Sequence, residues 1–225
     1  MILDLGRKDY NETYRIQRRL VDLRVERTID DTVVYVEHEP VFTIGRSGSR
    51  DNLLVHERVA GDSGVSIVDA DRGGDITFHG HGQLTAYFIV DLNERSRDIH
   101  KHLRDIEEAA IDLLKTYNVS TRRIPAFSGV WAKEKKIASV GIAVRKWVTY
   151  HGISIYVSGD LSYFSMIHPC GIRGIEVTSL SEVLGKQVSL NDAKERFTSC
   201  VEGIFGIRNT EHRYESFSLL DKKKN

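Results

Sequence analysis

The chain has 225 residues, of which 40% are hydrophobic and 28% are charged, as in folded globular proteins and unlike disordered or fibrous ones. Lysine plus arginine and aspartate plus glutamate both number 32, and this neutral balance argues against a dedicated nucleic-acid binder. No stretch reaches the ~20 apolar residues that span a bilayer, so no membrane association is expected. The two cysteines, Cys170 and Cys200, are too few for a disulfide framework and favour a cytoplasmic setting.

The first half of the chain is predicted to begin with a helix and to continue as short strands. Residues 9–27 show an amphipathic pattern, with Tyr10 and Val21 near one face and charged residues around the other. Runs rich in β-branched residues predict strands at 32–36, 41–44, 65–68 and 84–90. Arg72-Gly73-Gly74 and Gly80-His81-Gly82 indicate turns between the last two strands, because packed strand interiors seldom contain glycine.

The second half contains the clearest helix, at residues 99–117. Its apolar residues repeat at three- and four-residue spacing: Ile99, Leu103, Ile106, Ala110 and Leu113. Two strands follow at 136–144 and 148–157, and we expect them to form a hairpin that turns near Arg145 and Lys146.

A last helix is expected to begin at Ser189, where Ser189 and Asp192 resemble a capping box. Its apolar face would consist of Ala193, Phe197, Cys200, Val201 and Ile204. Because strands and helices alternate irregularly, the predicted fold class is α/β (α+β), a mixed β-sheet flanked by helices. We expect a single domain over residues 1–220, followed by a short disordered tail at 221–225.

A glycine-rich segment runs from Arg72 to Gln83. Its four glycines leave backbone N–H groups bare, and such groups can cradle a carbonyl or an anionic group. A plain turn that joins two strands is the alternative. His79 and His81 could suggest a metal, but zinc needs three or four ligands and no acidic or cysteine partner stands at a useful spacing, so no metal is expected.

Two single residues carry further chemical signals. Lys136 opens an apolar strand, where its amine would be desolvated and could take part in proton transfer near neutral pH, although a solvated strand end is the commoner fate of lysine. Cys170 lies between Pro169 and Gly171 on a stiff turn, where a nearby cation would favour the thiolate that attacks carbonyls. Cys200, on an apolar helix face, is typical of an inert buried cysteine.

Together these segments resemble the lipoyl(octanoyl) transferase family. The family pattern Arg-Gly-Gly-x-x-Thr-aromatic-His-x-x-Gly-Gln is matched from Arg72 to Gln83, and Lys136-Ile137-Ala138 matches its Lys-Ile-Ala element. Pro169-Cys170-Gly171 matches the Pro-Cys-Gly motif, and His151-Gly152-Ile153-Ser154 resembles the family's intervening strand. One departure is His81, which stands where many members have proline.

The resemblance implies a fold like that of the biotin and lipoate protein ligases, and an octanoyltransferase activity without a cofactor. An octanoyl or lipoyl group would pass from acyl carrier protein to a lysine of lipoyl domains, those of the 2-oxoacid dehydrogenases and of the glycine cleavage H protein. Cys170 would carry the acyl thioester, and Lys136 would tune the thiol and shuttle protons. Backbone N–H groups near Cys170 or at the Gly73-Gly74 turn would stabilise the oxyanion. Three segments would line the acyl pocket: Arg72, Gly73, Gly74, Asp75, Ile76, Thr77, Phe78 and His79, then Ser139, Val140 and Gly141, then Gly152, Ile153 and Ser154.

Two alternatives remain open at this point. An ATP-dependent lipoate or biotin ligase would use the same fold without a nucleophilic cysteine, but Pro169-Cys170-Gly171 favours the transferase and the ligases' longer Arg-x-Gly-Gly-Gly run is absent. A non-catalytic acyl-carrier-binding module would keep the pocket and be indifferent to loss of Cys170. For an acidic carrier, the sequence predicts a basic landing patch drawn from Arg122, Arg123, Lys133, Lys135, Arg145 and Lys146.

Overall fold

The computed structural model describes residues 1–125 and 127–207. Its ten strands are β1 (Ile2–Lys8), β2 (Thr32–His38), β3 (Val41–Ile44), β4 (Ser66–Asp69), β5 (Thr77–His79), β6 (Gln83–Ile89), β7 (Thr121–Ile124), β8 (Phe127–Ala132), β9 (Lys135–Arg145) and β10 (Val148–Tyr156). Its five helices are α1 (Tyr10–Val25), α2 (Glu57–Asp62), α3 (Ile99–Thr116), α4 (Leu180–Leu184) and α5 (Leu190–Phe205). The expected domain boundary at 220 and the tail at 221–225 lie outside the described residues.

Two mixed sheets form the framework. The larger has seven strands in the order β1-β2-β6-β10-β9-β8-β7, and the smaller has three in the order β4-β3-β5. In the larger sheet β1 and β2 pair in parallel, and every other neighbouring pair is antiparallel. In the smaller sheet β3 pairs in parallel with β4 and antiparallel with β5. The predicted mixed sheet is therefore confirmed.

Helices cover both faces of the larger sheet. Residues of α3 and α5 pack on one face, and residues of α1 pack on the other. In β2, Val33 and Tyr35 belong to the first packing cluster, while Val34 and Val36 belong to the second. A strand buried on both faces needs apolar residues at every position, which is why β2 appears in the sequence as an unbroken apolar run. No helix in the described part of the chain is long and apolar enough to cross a membrane.

The sequence-based prediction missed four strands, β1, β5, β7 and β8, and the two short helices α2 and α4. β1 and β7 are the two edge strands, and β7 has the sequence Thr-Arg-Arg-Ile without a buried residue. Helices α2 and α4 have six and five residues, too few to establish a helical period. Edge strands of real proteins often carry charge, which discourages pairing with other chains but also hides them from pattern recognition.

Two local details differ from the prediction. The full capping box belongs to α4, where Ser179 and Glu182 satisfy each other's backbone N–H groups; Ser189 caps α5 by accepting from the backbone N–H of Asp192 alone. The β9–β10 hairpin turns one residue later than expected, at Lys146 and Trp147, which both have positive φ angles of 51° and 67°. Two left-handed residues are what a tight two-residue hairpin requires.

The smaller sheet packs against the larger one and brings the glycine-rich segment close to the cysteine turn. A third cluster of buried residues joins Phe42 and Phe78 of the small sheet to Tyr156 of β10 and to Phe164. Beside it, the backbone N–H of Cys170 donates to the carbonyl of Ile76 at 2.9 Å. The predicted glycine-rich segment and the cysteine turn, far apart in sequence, therefore lie next to each other.

Candidate active site

The Cys170 turn has an unusual backbone. Cys170 has a φ of 59°, in the left-handed region that costs a residue with a side chain about 1–2 kcal/mol. Gly171 follows with a φ of 72°, and a Cβ there would lie 2.3 Å from Oδ2 of Asp75. The N–H of Gly171 donates to the carbonyl of His168 at 2.9 Å. The N–H groups of Cys170 and Gly171 are therefore both engaged, which leaves the Gly73-Gly74 turn as the other expected source of oxyanion donors.

Lys136 meets Cys170 from the opposite side. Its Nζ lies 2.9 Å from the Cys170 Sγ, although the two residues are 34 positions apart in sequence. Lys136 is only 2% exposed, and its Nζ also lies 5.6 Å from the centre of the Trp131 ring. Among the described residues, no carboxylate forms an ion pair with this ammonium. The Lys136 Nζ–H group is therefore directed to the Cys170 sulfur, to which it donates a hydrogen bond.

A neighbouring glycine makes room for the Lys136 side chain. Gly129 has a φ of 119°, and a Cβ there would lie 2.7 Å from Cε and 3.3 Å from Nζ of Lys136. The Gly129 N–H donates to Oε1 of Glu107 at 2.7 Å. Glu107 is fully buried, and its other oxygen pairs with Arg104 at 2.6 Å and with Arg123 at 3.0 Å. A buried carboxylate on α3 thus fixes the strand segment against which the lysine packs.

A cavity of about 190 Å³ opens beside this pair. Most residues predicted for the acyl pocket do line it: Arg72, Gly74, Asp75, Thr77, His79, Ser139, Val140, Gly141, Gly152, Ile153 and Ser154, together with Lys136 and Cys170. The structure therefore brings together all three predicted segments.

Three predicted pocket residues lie off the cavity wall: Gly73, Ile76 and Phe78. Alternation along β5 explains two of them, because successive side chains point to opposite faces of a strand. Thr77 and His79 face the cavity, whereas the Phe78 ring lies 5.6 Å from both the Phe42 and the Phe164 ring centres. A prediction that assigns a whole continuous segment to the pocket cannot distinguish side chains that face the cavity from those that face the core.

Other residues of the wall were not predicted as site residues: Tyr10, Thr85, Tyr87, Phe127, Ser128, His151 and Ile172. Tyr10 begins α1 and had been interpreted as part of an apolar helix face. A usable signal existed in β6, where Gln83, Thr85 and Tyr87 place polar groups at alternate positions of a fully buried strand. Phe127, at the start of β8, gave no comparable signal.

Arg72 is a second buried cation at the site. It is 8% exposed, and its Nη2 donates to the backbone carbonyl and the hydroxyl of Thr43 at 2.6 and 2.7 Å. Burial lowers the pKa of Arg72, while the neighbouring Tyr10 and Cys170 act in the opposite direction. Within the described residues its hydrogen-bond partners are all neutral oxygen atoms. The guanidinium, which stays protonated in proteins, thus adds positive potential to the cavity.

The two histidines considered as a metal pair have separate surroundings. His79 is buried on the cavity wall, and burial lowers its pKa well below the usual value, so the ring is neutral. His81 is at the surface, with its Nε2 2.8 Å from a Glu39 carboxylate oxygen. Within residues 1–125 and 127–207, no group of three or more His, Cys, Asp or Glu side chains could hold a metal ion.

The predicted basic patch is largely neutralised. Four of its cations already face carboxylates, in the pairs Arg122–Glu134 at 2.7 Å, Arg123–Glu107 at 3.0 Å, Lys135–Glu176 at 2.7 Å and Arg145–Asp22 at 2.6 Å. Paired surface charges attract a distant acidic partner much less than free ones. These four residues are therefore poor candidates for a carrier landing site.

Comparison with known proteins finds relatives over most of the chain. The family model described as the lipoyl protein ligase A/B catalytic domain matches residues 9–202. An octanoyltransferase from Geobacter metallireducens is 43% identical over 194 residues, which cover 86% of this chain and 88% of that protein. An octanoyltransferase from Caldicellulosiruptor bescii is 40% identical over 222 residues, which cover 98% of this chain and 94% of that protein.

A solved structure supports the predicted ligase-like fold. The structure of a bi-partite lipoate protein ligase and its E2 lipoyl domain from Thermoplasma acidophilum matches with a TM-score of 0.74 at 18% identity, over 99% of this chain and 92% of that chain. At this identity the match concerns the fold alone. The family model and the sequence matches show that the chain belongs to the lipoyl protein ligase A/B catalytic domain family and, within it, to the octanoyltransferases.

Proposed function

We propose that this octanoyltransferase moves an octanoyl group from octanoyl-acyl carrier protein to a lysine of a lipoyl domain, through a thioester on Cys170. The observation that carries the proposal is the 2.9 Å contact between Lys136 Nζ and Cys170 Sγ on the wall of a partly enclosed cavity. The acceptors would be the lipoyl domains of 2-oxoacid dehydrogenases and the glycine cleavage H protein. With two unpaired cysteines, the reaction is assigned to the cytoplasm.

The first half-reaction loads the enzyme. The Cys170 thiolate attacks the thioester carbonyl of the carrier, a new carbon–sulfur bond forms to Cys170, and the carbon–sulfur bond to the carrier breaks. Lys136 gives its proton to the departing thiolate, which leaves as a thiol, and the lysine becomes a neutral amine.

An oxyanion forms in each half-reaction and needs donors. We assign this role to the backbone N–H groups of Gly74 and Asp75, which line the cavity and enter no hydrogen bond within residues 1–125 and 127–207. The N–H of Gly73 is excluded because it donates to the carbonyl of Ile142 at 2.9 Å. Gly74 has a φ of 82°, and such a turn aims successive N–H groups at one point.

The second half-reaction unloads the enzyme. A neutral lysine amine of the acceptor attacks the Cys170 thioester, the amide carbon–nitrogen bond forms, and the carbon–sulfur bond breaks to restore the thiolate. Lys136, neutral after the first half-reaction, takes the proton that the attacking nitrogen must lose. The enzyme is then ready for another carrier.

Steady-state kinetics without nucleotide test this proposal against the ligase alternative. A thioester is already activated, so transfer from octanoyl-carrier to a lipoyl domain should proceed after enzymatic removal of ATP. Because the carrier leaves before the acceptor arrives, double-reciprocal plots should give parallel lines. Product formed only with ATP, or intersecting lines as in a ternary complex, would overturn the thioester mechanism.

A further inference from the structure

Proton balance shows that Lys136 cannot serve the whole reaction alone. A free lysine is protonated at neutral pH, with a pKa of about 10.4, so an acceptor arrives as an ammonium. This ammonium must lose one proton before it attacks the thioester and a second proton after it attacks. Lys136 can take only one of the two, since it begins the second half-reaction as a single neutral amine. The other proton goes either to solvent, which limits attack to the small neutral fraction of the lysine, or to a second base at the site; this inference rests on the function proposed above.

His151 is a buried imidazole on the wall of the same cavity. It is 1% exposed, and its φ of 59° places it in the left-handed region, uncommon for a residue with a side chain. Its backbone N–H leaves the strand pattern and donates to Oε1 of Gln17 at 2.8 Å. The two half-reactions described above assign no role to His151. Its neighbour Gly152 has no side chain that could titrate.

A carboxylate orients the ring. His151 Nε2 lies 2.8 Å from Oδ1 of Asp71, and the other oxygen of Asp71 accepts from the hydroxyls of Tyr14 at 2.9 Å and Tyr150 at 2.6 Å. Although partial burial acts to raise it, these hydrogen bonds hold the pKa of Asp71 well below its usual range. An ionised carboxylate only accepts, so the proton of the neutral ring must be on Nε2.

The other ring nitrogen is then a lone pair without a partner. Burial lowers the pKa of His151, and the nearby Asp71 acts in the opposite direction, so the ring is neutral near pH 7. Its Nδ1 is buried and finds no hydrogen-bond partner among the described residues. A buried acceptor left unsatisfied is costly, and such a group on a cavity wall is suited to a ligand that brings a donor.

We propose that His151, oriented by Asp71, is the base that deprotonates the acceptor lysine before it attacks the Cys170 thioester. One N–H bond of the ammonium breaks, an N–H bond forms at His151 Nδ1, and the resulting imidazolium is stabilised by Asp71. After the product leaves, the imidazolium gives the Nδ1 proton to water that enters the cavity, which restores the neutral ring with its remaining proton on Nε2, facing Asp71. Desolvation in the cavity disfavours the incoming ammonium, which eases its loss of a proton to imidazole.

Separate measurement of the two half-reactions tests this role. The enzyme is loaded with octanoyl-acyl carrier protein, loading is followed by intact mass, and the loaded enzyme is then mixed with a lipoyl domain. For His151→Gln, whose amide can still donate to Asp71, loading should stay within about twofold of wild type, while transfer to the lipoyl domain should fall about 10²–10⁴-fold. Asp71→Asn should show the same pattern with a smaller loss. His102→Gln is the matched control and should change neither step, because His102 is a histidine of α3 that is only 3% exposed and lies off the cavity wall.

Discharge of the octanoyl group by hydroxylamine distinguishes a catalytic base from a residue with only a structural role. It is neutral near pH 7 and needs no deprotonation before attack, so it should discharge the octanoyl group from wild type and His151→Gln at equal rates. The inference is overturned if hydroxylamine discharge falls as much as transfer does, or if transfer to the lipoyl domain is unchanged. If wild type itself acquires no octanoyl group, the proposed function fails first and the inference with it.

The pH profile provides a further readout. Wild-type transfer should level off above the lowered pKa of His151, whereas the His151→Gln rate should keep rising about tenfold per pH unit toward the pKa of free lysine, about 10.4. A variant curve parallel to wild type would contradict the role. The charged and titratable groups around the His151 ring are Asp71, Tyr14, Arg18, Arg72, His79, Tyr87 and Tyr150.

Discussion

The two cysteines of this chain show how strongly the fold decides what a thiol can do. Cys170 lies on a left-handed turn with an ammonium 2.9 Å from its sulfur. Cys200 lies within α5, half-buried against the main hydrophobic core, and burial raises its pKa with a further contribution from Asp112. Burial disfavours the thiolate of Cys200, whereas the Cys170 sulfur accepts a hydrogen bond from a lysine, so the proposed mechanism places the acyl chemistry on Cys170.

The largest expected effect comes from removing each thiol in turn. Cys170→Ala should lower transfer of octanoyl groups to a lipoyl domain by at least about 10³-fold, because no nucleophile remains. Cys200→Ala, the matched control, should stay within about twofold. A gel-shift or mass assay of the acceptor measures both, and substantial transfer by Cys170→Ala would remove the asymmetry between the cysteines.

The second-largest effect is expected from replacing Lys136, the cation next to Cys170. Lys136→Arg should be nearly as damaging as Lys136→Ala, with losses of about 10²–10⁴-fold in kcat, because arginine keeps the charge but cannot release a proton at working pH. Cys170 alkylation by iodoacetamide should distinguish the two variants, since charge alone favours the thiolate. If Lys136→Arg kept most of the transfer rate, Lys136 would act through its charge and not as a proton shuttle.

A glycine that touches no substrate gives the third effect. Gly129→Ala would place a Cβ 2.7 Å from Lys136 Cε and 2.4 Å from the Ala138 carbonyl, so the amine must move away from the sulfur. We expect transfer to fall by about 10²-fold, in line with a misplacement of about 1 Å at a catalytic group. Gly203→Ala is the control, because nothing lies within 4 Å of a Cβ at that helix position.

Circular dichroism should show that Gly129→Ala and Gly203→Ala are both folded. If Gly129→Ala then transferred octanoyl groups at the wild-type rate, the position of Lys136 would not depend on the space that Gly129 leaves for it. Alkylation of Cys170 at neutral pH should slow in Gly129→Ala and not in Gly203→Ala, and this second readout separates displacement of the amine from a general loss of stability.

The smallest effect concerns stability. Cys200→Ala removes a half-buried sulfur from the core and should lower the free energy of unfolding by about 1 kcal/mol, measured by urea denaturation. A loss several times larger would mean that Cys200 has a structural role beyond packing.

The sequence predicted the site better than the framework around it. Lys136 and Cys170 stand out in the sequence because charge, proline and glycine interrupt apolar runs, whereas the pocket segments, Arg72 among them, were implied by the resemblance to the transferase family. Edge strands β1 and β7 were missed because pairing with a single neighbour leaves little apolar pattern. Local rules also could not tell which side of β5 faces the cavity, so Phe78 was assigned to the pocket although it packs in the core.

Contacts across the fold were beyond sequence reasoning for a different physical reason. The Asp71–His151 pair joins residues 80 positions apart, and the Glu107–Gly129 hydrogen bond joins a helix to a strand. Neither pair leaves a local periodicity or a turn signal, because the partners come together only when both sheets and their helices are packed. A carboxylate among the buried residues of an amphipathic helix was the one clue, since Glu107 lies between Ile106 and Ala109 on the buried side of α3.

The central claim is that the acyl group rests on Cys170 and nowhere else. Mixing the protein with octanoyl-acyl carrier protein, in the absence of nucleotide, followed by acid quench and peptide mapping, tests it directly. We expect one octanoyl group, located on the peptide that contains Cys170, which disappears when a lipoyl domain is added. An octanoyl group found on the Cys200 peptide, or an acyl-enzyme that a lipoyl domain fails to discharge, would contradict the account.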